Sequence, residues 1–202
     1  MAQFRITEIE DYEALVGAEV VLRIRDKADK LKGLRVANFN STYYGGGVAE
    51  TISSLTLLMN SLGLRTEWRV IQGTPDFFSI TKKMHNALQG GEIDLSEIKK
   101  EIFEQVIYEN SVRNFLDHDF IIVHDPQPLP LIEHYENKCP WLWRCHLDLS
   151  PARQGNVEVS AAVDRQLRRC DSQLQGIRSG DEAAATDDDA RDLIHSLSRI
   201  VT

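Results

Sequence analysis

The sequence predicts an α/β domain with a doubly wound, mainly parallel sheet, and two observations predict it. Between residues 12 and 149, short apolar segments alternate with longer segments whose apolar residues recur every three or four positions. Strands that alternate with helices in this way give right-handed crossovers and a parallel sheet covered on both faces. Polar residues also collect after several of the apolar segments, as they do at the ligand-binding edge of such sheets.

The first three predicted elements are a helix, a strand and a second helix. A helix is predicted near Tyr12–Leu31, because apolar residues recur there at helical spacing among charges. The segment Leu34–Asn40 is a short apolar run between a glycine and a polar turn, which predicts a buried strand. From Val48 the apolar residues repeat every three or four positions until Gly63, so a helix of about four turns follows the loop.

Short apolar runs and helical periodicity also predict the remaining strands and helices. Strands are short apolar runs next to turn residues, and helices are longer periodic runs that begin after a capping residue. In chain order these elements are a strand over Thr66–Ile71, a helix over Asp76–Leu88, a longer helix through Leu95 and Val106 capped by Asp94 or Ser96, and strands over 120–123 and 141–149.

A change in composition divides the chain into a domain (1–150) and a tail (151–202). Every Phe, Trp, Tyr and Lys residue lies before residue 151. Aromatic side chains supply much of the area that a core buries, so the tail is not expected to form an independent domain. We expect it to be atypical, helical or partly disordered, with a flexible linker before a helix that contains Leu193 and Leu197.

The composition excludes several classes of function. The 202 residues carry a net charge of -8, which disfavours nucleic acid and anionic lipid as partners. There is no secretory signal pattern and no stretch of the roughly 20 apolar residues that cross a bilayer, so we expect a soluble, cytoplasmic protein. The three cysteines form no CxxC pair, which fits a reducing compartment. No HExxH or dense Cys/His spacing predicts a metal site.

The first candidate site is the loop Tyr44, Gly45, Gly46 and Gly47, between the first strand and its helix. Three glycines remove the Cβ atoms that would block close approach. The N–H groups at the start of the helix can then donate hydrogen bonds to a phosphate or a sugar hydroxyl. The loop does not match GxGxxG, and a tight turn that binds nothing explains it equally well.

The second candidate site follows the third strand. His124, Asp125 and Gln127 lie in a segment stiffened by Pro126 and Pro128, so they lose little entropy when they bind a ligand. A rigid cluster of donors and acceptors at a strand end suits a polyol such as a sugar. The alternative is a proline-rich connection whose polar residues cap a neighbouring helix.

The third candidate site lies in the fourth strand, where Arg144, His146 and Asp148 alternate with apolar residues. Alternation predicts that the three share one face, and an arginine there suits a carboxylate or a phosphate. A salt bridge that closes the sheet edge is the alternative. A metal-dependent hydrolase built on this HxD pair and His124 is a more distant hypothesis. His85, near the end of its helix, either faces the cleft or is an ordinary surface histidine.

Four of these segments, taken in order, resemble a known family. KGLRVANFNSTYYGGGVAE, EWRVIQGTPDFFSITKKMHNALQG, HDPQPLPL and WRCHLDLS look like the amino-terminal half of trehalose synthase of the glycosyl-transferring kind, a retaining GT-B glycosyltransferase related to retaining trehalose phosphorylases. The resemblance covers about residues 12–150. It implies a Rossmann-like domain, one half of a GT-B fold. The whole enzyme would join glucose from a nucleoside diphosphate glucose to free glucose and so form trehalose.

The resemblance also implies roles for the candidate residues. In such enzymes this half mostly shapes the acceptor and sugar side of the cleft. The residues that match this substrate-binding role are Tyr44, Gly45, Gly46, Gly47, His85, His124, Asp125 and Gln127, with Arg144 and His146. The resemblance implies no cofactor, because nucleoside diphosphate glucose is a substrate of the family.

The end of the chain departs from the family pattern. The family holds the donor diphosphate with an arginine, a lysine and an ExxxxxxxE segment of the other half, and after Ser150 there is no lysine and no ExxxxxxxE segment. We therefore expect an acceptor-side domain that binds glucose or trehalose and is inactive alone, as in a truncated enzyme. The alternatives are a standalone sugar- or nucleotide-binding module, or a subunit that pairs with a separate donor domain or with a second copy.

Overall fold

The fold is a three-layer α/β arrangement around one parallel sheet. The structure is a computed structural model, and it describes residues 8–44, 46–89, 95–135 and 139–146 together with Leu193 and Leu197. Its sheet has the strand order β2-β1-β3-β4, and all three strand pairs are parallel. The strands are β1 (Arg35–Asn40), β2 (Arg65–Val70), β3 (Phe120–His124) and β4 (Trp141–Arg144). The predicted α/β class and parallel sheet are confirmed.

Helices cover both faces of this sheet. They are α1 (Glu13–Val16), α2 (Ala18–Lys30), α3 (Gly47–Ser61), α4 (Pro75–Leu88) and α5 (Glu97–Arg113), and two short 3-10 helices span Ile9–Tyr12 and Leu129–His134. Of the helices in the described part of the chain, none combines the length and the apolar character needed to cross a membrane. Both β1 and β3 are buried along nearly their whole length, as expected for the central strands of a sheet with two covered faces.

Two apolar clusters, one on each face, hold the layers together. On one face α2 and α3 pack against β1 and β3 through side chains such as Ile24, Leu55 and Ile122. On the other face α4 and α5 pack against the same strands through side chains such as Phe77 and Phe103. The rings of Phe77 and Phe103 stack with their centroids 5.6 Å apart. Because successive side chains of a strand point to opposite faces, β1 and β3 each contribute to both clusters.

Two of the predicted elements differ from the structure. The predicted helix Tyr12–Leu31 is interrupted between α1 and α2 at Gly17, whose φ of 86° lies in a region that side chains other than glycine rarely adopt. The fourth strand ends at Arg144 and does not continue to residue 149. The prediction that His146 shares a strand face with Arg144 is therefore wrong, and Asp148 lies outside the described residues.

The tail contributes two described residues to the core. Leu193 and Leu197 are helical and fully buried, and they belong to the cluster formed by α2, α3 and the sheet. They lie four residues apart, which is the spacing that puts two side chains on the same face of a helix. For these two residues the predicted helix is confirmed. The predicted linker over 180–189 lies outside the described residues.

Alanine at either tail leucine should therefore destabilise the domain. We expect Leu193→Ala or Leu197→Ala to lower the free energy of unfolding by about 2–5 kcal/mol, the range for buried leucines. Leu57→Ala, at a helical leucine that is 55% exposed, is the matched control and should change it by less than about 0.5 kcal/mol. Denaturant unfolding followed by circular dichroism measures all three. Equal stability of the three variants would show that the tail contributes nothing to the core.

Candidate functional site

The candidate site lies at the carboxyl edge of the sheet. Because β1, β3 and β4 are neighbouring parallel strands, the segments that follow them leave the sheet at the same edge. The glycine loop leads from β1 into α3, with Gly46 as the residue before the helix; Gly45 lies outside the described residues. The expected meeting of this loop with the His124 segment at one edge is confirmed by the strand order. This edge is where α/β sheets usually bind ligands.

His124 is the buried centre of the site. It is the last residue of β3 and is fully inaccessible to solvent. Its Nε2 atom lies 2.9 Å from Oδ1 of Asn38, which is itself fully buried in β1. The Asn38 Nδ2 atom in turn reaches the Thr56 hydroxyl of α3, at 3.5 Å. A buried imidazole on the α3 face is thus hydrogen-bonded directly to the neighbouring strand.

A second histidine completes this hydrogen-bonded series. Nδ1 of His124 lies 3.0 Å from Nε2 of His146; the ring centroids are 5.3 Å apart and the ring planes are inclined by 21°. The pKa of His124 is lowered to about 3, mainly by burial and to a smaller extent by the nearby His146 and Arg144. Burial also lowers the pKa of His146, and the Asp125 carboxylate only partly opposes this effect. Both imidazoles are therefore neutral near neutral pH.

Hydrogen bonds of Asp125 stabilise the backbone around these two histidines. Its φ of 64° is the only positive value at a described residue other than glycine. Its carboxylate Oδ1 accepts a hydrogen bond of 2.8 Å from the backbone N–H of His146. Its backbone N–H donates to the carbonyl of Arg144 at 2.9 Å, and its own carbonyl accepts from Nε1 of Trp143 at 3.1 Å. Asp125, which we expected to bind substrate, thus also holds the segment after β4 against β3.

Two other predicted site residues carry buried polar atoms that bond to no described residue. These atoms are Oε1 of Gln127 and Nη1 of Arg144. The Arg144 side chain is half-buried, and burial lowers its pKa while Asp125 raises it. Buried donors and acceptors are normally satisfied by protein, water or a ligand. These two atoms are therefore available for hydrogen bonds at the edge next to the histidines.

The loop after β1 is held against the edge strand β2. Nε1 of Trp68 donates to Oδ1 of Asn40 at 2.8 Å, and Nδ2 of Asn40 donates to the backbone carbonyl of Thr42 at 2.8 Å. The ring of Tyr43 packs edge-on against Trp68, with centroids 4.9 Å apart. Tyr44, whose backbone N–H donates to the Thr42 hydroxyl, is 86% exposed. An ordered loop thus presents an aromatic ring to solvent beside the glycines.

The structure does not bring His85 to this cluster. Helix α4 starts after β2 and packs on the face opposite to α3 through residues such as Phe77 and Ile80. His85 is ten residues beyond Pro75, so it lies about 15 Å along the helix axis from the start of α4. Within the described residues, no hydrogen bond or ring contact joins His85 to His124 or His146.

Sequence reasoning missed Asn38 and Trp68, and it placed Asn40 only at the start of the polar segment after the first strand. The signal that could have found the two asparagines is their position within the strand segment RVANFN. Asparagine is rarely buried and is depleted in strands, so two of them in one buried strand indicate fixed hydrogen-bond partners. The identity of those partners could not be read in the same way, because His124 is 86 residues from Asn38 in the sequence.

A parallel sheet between two helical layers, with a polar site at its carboxyl edge, is the arrangement of a Rossmann-like domain, one half of a GT-B fold. The profile of the family described as trehalose synthase, N-terminal domain, matches residues 38–179. The chain belongs to this family.

Individual relatives agree with this assignment. The trehalose synthase of Pyrococcus horikoshii is 51% identical over 147 residues, which are 71% of this chain and 35% of that protein. The trehalose synthase of Rubrobacter xylanophilus is 36% identical over 154 residues, or 71% of this chain and 36% of that protein. A trehalose phosphorylase of Pleurotus pulmonarius is 29% identical over 178 residues, or 80% of this chain and 24% of that protein. The chain spans about a third of the length of these two synthases.

The buried His124 makes the stability of the domain depend on pH. Its folded pKa of about 3 lies below the ordinary 6.5, so between these values the unfolded chain binds a proton there that the folded chain does not. The free energy of unfolding should therefore fall as the pH falls from about 6.5 to 5, with a slope from this group of up to about 1.4 kcal/mol per pH unit.

His124→Gln should reduce this slope, and urea unfolding at several pH values measures it. His134→Gln, at an exposed histidine away from the cluster, is the matched control and should leave the slope as it is in the wild type. The slope is the readout, so a general loss of stability in either variant does not affect the comparison. An unchanged slope in His124→Gln would mean that this imidazole titrates normally in the folded protein.

At position 125, asparagine should change the stability of the domain little, whereas alanine should lower it. Asparagine keeps an oxygen acceptor for the His146 N–H group and adopts a positive φ readily. Alanine lacks the acceptor and strains the backbone, so Asp125→Ala should cost about 2–3 kcal/mol of unfolding free energy. Asp125→Asn should cost less than about 1 kcal/mol. Thermal unfolding compares the two, and equal melting temperatures would show that Asp125 does not hold the segment after β4.

Proposed function

We propose that this domain is the acceptor-side half of a trehalose-synthase-type glycosyltransferase and that it binds glucose or trehalose at the carboxyl edge of its sheet. The observation that carries the proposal is the hydrogen-bonded series Asn38, His124 and His146 at that edge. It supports a sugar ligand because sugar hydroxyls need both donors and acceptors held in fixed positions. Membership in the trehalose synthase N-terminal domain family supports the same ligand.

The neighbouring groups suit a neutral polyol. Both imidazoles are uncharged, since burial lowers their pKa values, so each has one donor and one acceptor nitrogen. Gln127 and Arg144 each have one buried polar atom that bonds to no described residue. The exposed ring of Tyr44 can cover the apolar face of a pyranose. A sugar at this edge would thus meet hydrogen-bonding groups on one side and an aromatic ring on the other.

In the proposed reaction the bond between the donor phosphate and the anomeric carbon of glucose breaks. A bond forms between that carbon and an oxygen of the acceptor glucose, and the acceptor proton passes to the departing diphosphate. Such catalysis depends on orientation and on positive groups that stabilise the leaving group. The match covers 35% of the Pyrococcus synthase, and the donor-binding residues belong to the other half of the family's enzymes. We therefore expect the 202 residues alone to bind sugar without transferring it.

Calorimetric titration and a turnover assay test this proposal. We expect weak heats of binding with glucose or trehalose, and no trehalose from glucose and nucleoside diphosphate glucose. His146→Gln should weaken sugar binding several-fold, because the group next to the ligand is lost. His134→Gln, distant from the edge, should bind as the wild type does.

The two halves of the proposal fail in different ways. Trehalose formation by these 202 residues would contradict the half-enzyme interpretation. Sugar binding that is absent, or that is equally strong in both variants, would contradict the acceptor site. Activity that appears only when a separately produced donor-binding domain is added would support pairing between two halves.

A further inference from the structure

We infer that Asn38 is a positioning residue that decides which nitrogen atoms of His124 and His146 carry hydrogen, and that it thereby presents Nδ1 of His146 as a hydrogen-bond acceptor for a ligand hydroxyl. The hydroxyl as ligand rests on the proposed sugar site. The hydrogen positions rest only on three side chains and two distances. This gives a role in specificity to a residue that need not touch the ligand itself.

The contact with Asn38 fixes which nitrogen of His124 carries a hydrogen. The Asn38 atom that faces His124 is Oδ1, at 2.9 Å from Nε2, and a carbonyl oxygen can only accept a hydrogen bond. Its other atom, Nδ2, is directed at the Thr56 hydroxyl. Both Asn38 and His124 are fully buried, so solvent does not compete for this contact. Nε2 of His124 must therefore carry a hydrogen.

The position of the hydrogen on His124 in turn fixes its position on His146. A neutral imidazole carries one hydrogen, and in His124 that hydrogen is on Nε2. Nδ1 of His124 is then an acceptor, and the atom 3.0 Å from it is Nε2 of His146. For this contact to be a hydrogen bond, Nε2 of His146 must be the donor. Each ring thus has its hydrogen on Nε2, as Asn38 requires.

His146 then offers its Nδ1 atom to a ligand as a hydrogen-bond acceptor. When its hydrogen is on Nε2, Nδ1 of His146 has a free lone pair, and no described residue donates to that atom. The residue is only partly buried, and Asp125 holds its backbone. An imidazole lone pair accepts an O–H group and repels an anionic oxygen. The opposite tautomer would favour a phosphate or carboxylate at the same position. Asn38 therefore selects for a hydroxyl.

Nitrogen NMR of the 202-residue chain labelled with 15N in histidine tests this inference directly. His124→Gln and His146→Gln assign the signals. We expect both rings of the wild type to show a protonated Nε2 and an unprotonated Nδ1 at neutral pH. A hydrogen on Nδ1 of His124 would overturn the inference, because Asn38 would then have to direct its amide nitrogen at that ring. A hydrogen on Nδ1 of His146 would also overturn it, because that ring would then offer no acceptor to a ligand at Nδ1.

Asn38→Leu is the decisive variant, because it keeps the approximate volume and removes the acceptor. We expect its His124 and His146 signals to lose the single Nε2-protonated pattern and its glucose affinity to fall several-fold. Asn110→Leu is the matched control: Asn110 is equally buried, but it bonds to Gln72 and Val106 on the other face. It should leave the histidine signals unchanged. Retention of the wild-type pattern in Asn38→Leu would overturn the inference, and if that variant does not fold, the wild-type spectrum still decides.

A glucose titration separates this inference from the proposed function. If glucose shifts the Nδ1 signal of His146 and both rings are protonated on Nε2, both are supported. If the rings are protonated as expected and glucose shifts no signal, the sugar site is contradicted, whereas the role of Asn38 in setting the hydrogens is supported. If glucose binds while Nδ1 carries the hydrogen, the role of Asn38 is overturned and the sugar site is supported.

Discussion

A buried imidazole needs partners for both of its nitrogen atoms, and this requirement at His124 organises the functional edge of the domain. An unpaired polar group in the interior costs free energy comparable to a lost hydrogen bond. His124 meets the requirement with Asn38 from β1 on one side and His146 from the segment after β4 on the other. One side chain thus connects three neighbouring strands at the edge where a ligand would bind.

The surroundings of this histidine favour rigidity. The left-handed backbone of Asp125 and its three hydrogen bonds fix the two segments that carry the imidazoles. On the other side of the edge, Trp68 and Asn40 fix the loop that leads to α3. A site whose groups are already in place loses little conformational entropy when it binds a ligand. Positioning of this kind would suit the proposed sugar site, because catalysis of glycosyl transfer is largely orientation.

The two faces of the sheet differ in the polarity of the residues they bury. The cluster built from Phe77 and Phe103 with α4 and α5 is apolar and holds the face where His85 is found, away from the histidine pair. The α3 face combines an apolar cluster with the buried polar pair Asn38 and His124. Asn38 of this pair reaches the Thr56 hydroxyl within α3.

Local sequence patterns were sufficient to predict most of the strands and helices, whereas the side-chain contacts became known only from the three-dimensional structure. The parallel sheet, helix α3 up to the Gly63 turn and the strand that ends at His124 follow from hydrophobic periodicity and turn residues, which act over a few positions. The partnership of Asn38 with His124 joins residues 86 positions apart, and the hydrogen bond from the His146 N–H group to Asp125 joins residues 21 positions apart. Hydrogen bonds of this range exist only once strands have paired, so no local signal could encode them.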